Sequence, residues 1–116
     1  MEQINKIELR GTVGSARVQV INGHQVARIT LVTNFVYKSK EGEPVIETMW
    51  HNISLWDSKG IKDLTKIERG SKLQVTGRLR SQRYTDMDGI ERVTYEVIAN
   101  KAALIESEEY LQYEMI

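Results

Sequence analysis

Two tryptophans and the basic residues spaced around them are the part of this sequence best equipped for chemistry. The segment "ETMWHNISLW", residues 47–56, puts Trp50 and Trp56 in one alternating register with Thr48, Asn52 and Ser54; Met49, His51, Ile53 and Leu55 fill the other. Successive side chains of a strand point to opposite faces, so the indoles share the polar face while Met49, Ile53 and Leu55 point to a core. Six residues at about 3.3 Å each would set the rings roughly 20 Å apart. Rings so placed can stack unpaired bases, at about 1 to 3 kcal/mol per base, without reading a base edge. Tryptophans in a polar register also pack beneath a loop, a helix or another subunit, and a β-bulge would reverse the parity.

Rings and positive charge recur together in two more segments. In "GRLRSQRYTDMDG", Arg78 and Arg80 alternate with Leu79 and are followed by Arg83 and Tyr84, and Lys72 lies in the same register as Arg78 and Arg80. In "NFVYKSK", Phe35 and Tyr37 precede Lys38 and Lys40. An aromatic platform flanked by phosphate-attracting side chains is the physical requirement for holding a single strand. Plainer readings stand beside this one: Arg78, Arg80 and Lys72 as a solvated strand face, Lys38, Lys40 and Arg83 as loop charges, Phe35 as core. His51 shares the register of Ile53 and reads as a hydrogen-bonded interior or subunit-interface histidine rather than a catalytic base or metal ligand.

Other chemistry has little to stand on. The chain has no cysteine and only two histidines, His24 and His51, so thiol chemistry and the usual structural zinc site are excluded. It carries no nucleophile–base motif, phosphate loop or cluster of metal carboxylates, and Asp86 and Asp88 fit a hairpin turn. No catalytic residues, cofactor or metal are expected. No apolar run approaches the roughly 20 residues that cross a bilayer, and the opening "MEQINKIELRG" lacks the basic start and apolar stretch of a signal peptide. A cytoplasmic protein without membrane contact is expected. The formal charge is zero, yet residues 106–116, "ESEEYLQYEMI", hold four of the 16 acidic residues and none of the 16 basic ones. Residues 1–105 therefore carry 16 positive against 12 negative charges, a net of +4, which favours backbone binding only if focused on one surface.

The elements that must position these groups follow from the patterning of a chain of 116 residues, the common size of one domain. "INKIELRGTV" alternates around Ile7, Leu9, Gly11 and Val13, and "VARITLVTNFVY" follows an Asn22–Gly23 turn signal. An exposed loop, "KSKEGEP", leads to a third strand over about 46–56. Ile61, Leu64 and Ile67, spaced by three, predict one short helix within 57–70, with Asp57 or Ser58 to cap its start and Gly70 at its end. "SKLQVTGRLR" returns to a period of two, and Asp88–Gly89 marks a hairpin into a fifth strand. The expected fold is all-β: a five-stranded OB-fold barrel with one short helix between strands 3 and 4, covering residues 1–105. An SH3-like barrel or a small split sheet also fits the pattern.

The sequence also resembles a known family, the bacterial single-stranded DNA-binding proteins, especially their short, Bacteroides-like forms. The likeness runs over about residues 3–105 through "INKIELRGTVG", "VARITLVTN", "ETMWHNISLW", "ERGSKLQVTGRLRSQRYTD" and "TYEVIAN". Each phrase is weakly specific, and their order and spacing carry the resemblance. It implies sequence-nonspecific binding and protection of single-stranded DNA in replication, recombination or repair. It implies Tyr37, Trp50, Trp56 and Tyr84 as base-stacking rings, and a homotetramer, with a dimer the alternative, in which His51 lies between subunits. The basic set expected to meet DNA is Arg78, Arg80, Arg83, Lys38 and Lys72. The family's Gly-, Pro- and Gln-rich linker has no counterpart in residues 106–116, an acidic and aromatic extension expected to be a solvated or helical terminus. Its Tyr110, Tyr113, Met115 and Ile116 are the candidates for engaging replication or repair proteins. Two other readings remain: a replication-restart or other OB-fold interaction protein with weak nucleic-acid binding, and a single-stranded RNA binder.

Overall fold

Alternation of apolar and polar residues produces long strands. The structure, a computed structural model, describes residues 1–59, 61, 63–105 and 114–115. Strands β1 (Ile7–Ile21), β2 (His24–Lys38), β3 (Pro44–Lys59), β4 (Lys72–Thr85) and β5 (Glu91–Ile105) are joined by one 3-10 turn, Leu64–Lys66, and a two-residue strand β6 (Glu114–Met115). Antiparallel pairs β1–β2, β2–β3, β4–β5 and β1–β4, with β3 parallel to β5, close the ring β1-β2-β3-β5-β4-β1. A closed ring leaves its strands without free edges where they pair. This is the OB-fold barrel.

Inward residues of the five barrel strands meet in one core: Val13 from β1, Ile29 and Leu31 from β2, Ile53 and Leu55 from β3, Leu73 and Val75 from β4, and Val97 and Ala99 from β5. Closure needs tight corners. At Gly77, beside an irregularity in the β4–β5 register, a Cβ would lie 2.1 Å from the Ile98 carbonyl oxygen, so no larger residue fits without a backbone shift. Asn22 and Gly23, both at positive φ, form the tight β1–β2 turn anticipated from the sequence.

Among the described residues, the expected short helix is realised as one 3-10 turn. Ile61, Leu64 and Ile67 are all buried and plug one end of the barrel, and their spacing of three is also the period of a 3-10 helix. Neither Asp57 nor Ser58 caps it. Both belong to β3, where Asp57 accepts from the Gln25 backbone N–H at 2.9 Å, and Asp63 caps the turn through the Thr65 N–H. Gly70 does turn the chain, at φ 90°, and donates its N–H to the Val13 carbonyl.

Two hairpins outrun the barrel. Beyond Leu31 and His51 the inward register of the β2–β3 ribbon leaves the main core cluster, and Met49, expected in the interior, is 59% exposed there although it keeps that register. Phe35, also read as core, is half-buried and sits 6.4 Å from the Tyr37 ring. The β4–β5 ribbon likewise carries Tyr84, Ile90, Val93 and Tyr95 into solvent. Within the C-terminal extension, Glu114–Met115 pairs in parallel with Phe35 and Val36, a strand where a solvated or helical terminus was expected. Tyr110, Tyr113 and Ile116 lie outside the described residues.

Candidate nucleic-acid interface

Parity in β3 holds from Trp50 to Trp56. Ile53 and Leu55 are buried in the barrel, and Trp50 and Trp56 are 61% and 39% exposed on its outer surface. Trp50 pairs across to Val32 of β2 and lies over Gly14, where the β1–β2 register shifts between Val13 and Ser15. Trp56, at the other end of the same register, is opposite Val26.

Between the indoles a chain of polar side chains crosses all five strands in their spatial order. Gln19 of β1 accepts from Arg28 Nε at 3.4 Å; Arg28 of β2 donates through Nη1 to Ser54 of β3; Ser54 Oγ donates to Glu96 Oε2 of β5 at 2.9 Å; and Arg80 of β4 donates to Glu96 Oε1. Arg28 Nη1 also approaches Glu96 Oε2 at 3.9 Å. Ser54 is buried and fully engaged by its two partners. Burial opposes ionisation of Glu96, but hydrogen bonds from Ser54 and Arg80 and the charges of Arg80 and Arg28 outweigh it, holding the carboxyl below the usual glutamate range.

Beside this chain runs an open groove of about 460 Å³, bordered by Ser15, Arg17, Arg28, Thr30, Asn52 and Glu96. Its walls mix guanidinium, amide and hydroxyl groups, and Ser15 donates to Thr30 at 3.0 Å. Arg28 and Glu96 were not singled out in the sequence. The signal for Arg28 was the alternation Ala27, Arg28, Ile29, in which the arginine takes the outward register opposite Ser54. Glu96 had no local signal, because β5 reaches β3 only through a parallel pairing of distant segments.

The other expected residues divide by face. Arg78, Arg80 and Tyr84 share the outward register of β4, which carries the Arg80–Glu96 pair, and Tyr84 is half exposed opposite Arg92. Arg83 occupies the reverse face of that ribbon, opposite Val93, with Nη1 3.5 Å from Glu91. Lys72 is outward but eight residues back along β4, roughly 26 Å from Arg80 at strand rise, and it donates to Thr12 at 3.2 Å. Tyr37 lies in the opposite register from Trp50 on the β2–β3 ribbon, so the two rings do not share a face. Lys38 is exposed at the far end of that ribbon, paired with Pro44. His51 holds the inward register at the barrel rim, with Nε2 2.8 Å from Thr33 Oγ1, and burial lowers its pKa. At the hairpin tip, Asp86 accepts from the Asp88 and Ile90 N–H groups and from Arg92 Nε, the turn role assigned to it from the sequence.

A closed OB barrel with two exposed indoles on one face and a polar, arginine-bordered groove between them belongs to the class of oligonucleotide-binding-fold proteins. Residues 4–105 match the single-strand binding protein family, and the chain belongs to it. It is 29% identical over 104 residues to the single-stranded DNA-binding proteins of Neisseria meningitidis and of Xanthomonas campestris pv. campestris; in both cases 88% of this chain is covered, and it spans 60% of the relative's length. Its fold is similar to that of the Plasmodium falciparum SSB in complex with ssDNA, at TM-score 0.75 and 22% identity over 91% of this chain and 98% of that one. It is similar also to a deletion mutant of the single-stranded DNA binding protein from Thermus aquaticus, at TM-score 0.72 and 18% identity over 90% and 51% of the two chains.

Proposed function

We propose that this protein binds single-stranded DNA without strong sequence preference and protects it during replication, recombination or repair, as a cytoplasmic binding protein with no catalytic role. The observation that carries this reading is the pair of exposed indoles, Trp50 and Trp56, in the one strand register that also gives Asn52 and Ser54 to the groove. Bases stack on these rings and on Tyr84, while Arg78 and the groove-lining Arg17 attract phosphates. Arg80 lies on the same face but is paired, Arg83 and Tyr37 lie on reverse faces, and Lys38 and Lys72 sit at its margins. The last four reach the strand only if it wraps beyond the groove.

Assembly is part of the same proposal. Met49, Leu79, Val93 and Tyr95 expose apolar surface on the inward register of the two projecting hairpins, which supports association of copies of this chain, as a homotetramer or a dimer, with His51 near the contact. Partner recruitment through residues 106–116 is a further part of the proposal.

The test is a salt-dependent fluorescence titration with matched single-stranded DNA, single-stranded RNA and duplex DNA, comparing the wild type with Trp50→Ala and Trp56→Ala. Preferential binding of single-stranded DNA that weakens in each variant supports the reading. No strong single-strand binding, or affinity unchanged in both variants, would sink it, and tighter RNA binding would reassign the ligand. Light scattering of the free protein decides the oligomeric state.

A further inference from the structure

A carboxylate is an unexpected group at the centre of a surface that must attract phosphates. Glu96 is the outward-facing acidic residue of the belt between the two tryptophans, and its side chain is only 16% exposed. Solvent therefore screens it little. It engages Arg80 directly through Oε1 and, through Oε2, accepts from Ser54 while standing 3.9 Å from Arg28. The Nε of Arg80 is itself buried, so that guanidinium offers only part of its edge to a ligand. Two outward arginines, Arg28 and Arg80, are thus held by one acid, and the belt as a whole carries a net charge of only +1.

The consequence concerns which part of a strand enters the groove. A phosphate placed at the belt would meet the Glu96 carboxylate and would compete with it for Arg28 and Arg80. An uncharged base meets no such penalty, and it finds Asn52 and the Ser15 and Thr30 hydroxyls on the groove wall. We propose that Glu96 is a selectivity residue that keeps phosphates out of the centre of the groove, so that the strand crosses it with bases inward and phosphates at the rim. The protein then discriminates nucleic acid from a bare polyanion. This rests on the single-strand binding reading given above and deepens it.

The experiment compares a base-bearing oligodeoxynucleotide with an abasic deoxyribose-phosphate oligomer of equal length, titrated over a salt series against the full chain. In Glu96→Gln the amide retains hydrogen-bonding capacity toward Ser54 and Arg80 but removes the negative charge that faces both guanidiniums. The salt slope is expected to steepen by roughly 0.7 to 1.4, one or two phosphates at about 0.7 each on a single strand. Affinity for the abasic oligomer should rise more than affinity for the base-bearing one. A double variant, Arg80→Gln with Glu96→Gln, removes one of the two guanidiniums and leaves Arg28 without its acid, so its slope is expected to exceed the wild-type one by about 0.7, one phosphate. A slope unchanged in Glu96→Gln, or one no steeper than wild type in the double variant, overturns the proposal. Should Glu96→Gln not fold, the double variant decides alone. Failure of the wild type to bind the base-bearing strand would overturn both readings, whereas binding with an unchanged slope overturns only this one.

Discussion

The backbone of Gly14 in β1 forms the seat of the Trp50 indole from β3: a Cβ built on Gly14 would lie 2.5 Å from Trp50 Cζ3 and 3.3 Å from Cη2. Gly14 is not among the glycines at positive φ, so alanine suits the backbone there and collides only with the ring. Gly14→Ala is expected to tilt the indole off its seat, shift tryptophan emission and weaken single-stranded DNA binding by several-fold, a share of the roughly 1 to 3 kcal/mol that stacking supplies. Thermal stability should change little. Emission and affinity both identical to wild type would show that the ring does not depend on this seat.

The faces of the β4–β5 ribbon make a second test. Arg78 is exposed on the register that carries the Arg80–Glu96 pair, whereas Arg83 lies on the reverse face beside Glu91. Arg78→Ala is expected to reduce the salt slope of single-stranded DNA binding by about 0.7, one phosphate on a single strand. Arg83→Ala should leave both slope and affinity within about twofold, because an exposed ion pair contributes only about 0 to 1 kcal/mol. Equal losses in the two variants would mean that the strand wraps both faces.

Glu96 makes stability depend on pH in the acid range. Its folded-state carboxyl titrates below the usual range, so its contribution is complete above the unfolded value and is lost as pH falls through the lower folded one. Thermal melts taken from about pH 5 down to pH 3, around the ordinary glutamate value near 4.3, should show the wild type losing more stability than Glu96→Gln. Parallel curves for the two proteins would count against the belt as a stabilising element.

His51 acts in a different window. Burial lowers its pKa, so the unfolded chain takes up a proton before the folded one does, and stability falls as pH drops through the ordinary histidine value near 6.5. His51→Gln can still hydrogen-bond Thr33 and does not titrate, and its melting temperature is expected to be flatter between about pH 7.5 and pH 5.5. A wild type insensitive to pH across that window would contradict the assignment.

What could be seen in the sequence was what local periodicity encodes. Ile53, Leu55, Trp50 and Trp56 fell on their observed faces because β3 is regular between them. Met49 obeyed the same parity and yet ended in solvent, since periodicity states which face a residue takes and not where the barrel stops. Ile61, Leu64 and Ile67 correctly marked buried positions, but their spacing suits a plug with one 3-10 turn as well as it suits an α-helix. Arg28 and Glu96 escaped notice because their relationship exists only after strands distant in sequence are placed side by side. Tyr37 shows the converse: resemblance grouped it with Trp50, and the ribbon puts the two rings on opposite faces.

The closing pair of the ring also bears on how the chain reaches its fold. β1 pairs with β4 from Ile7 with Gly77 through Thr12 with Lys72, a separation of 60 to 70 residues, while β1–β2 and β4–β5 join neighbours. Pairings of such long range form slowly, because loop-closure entropy is spent before contacts reward it. During synthesis the meander of β1, β2 and β3 must wait, with one side of β1 unsatisfied, until β4 has emerged. That interval is when a nascent chain of this protein is most open to pairing with the wrong strand.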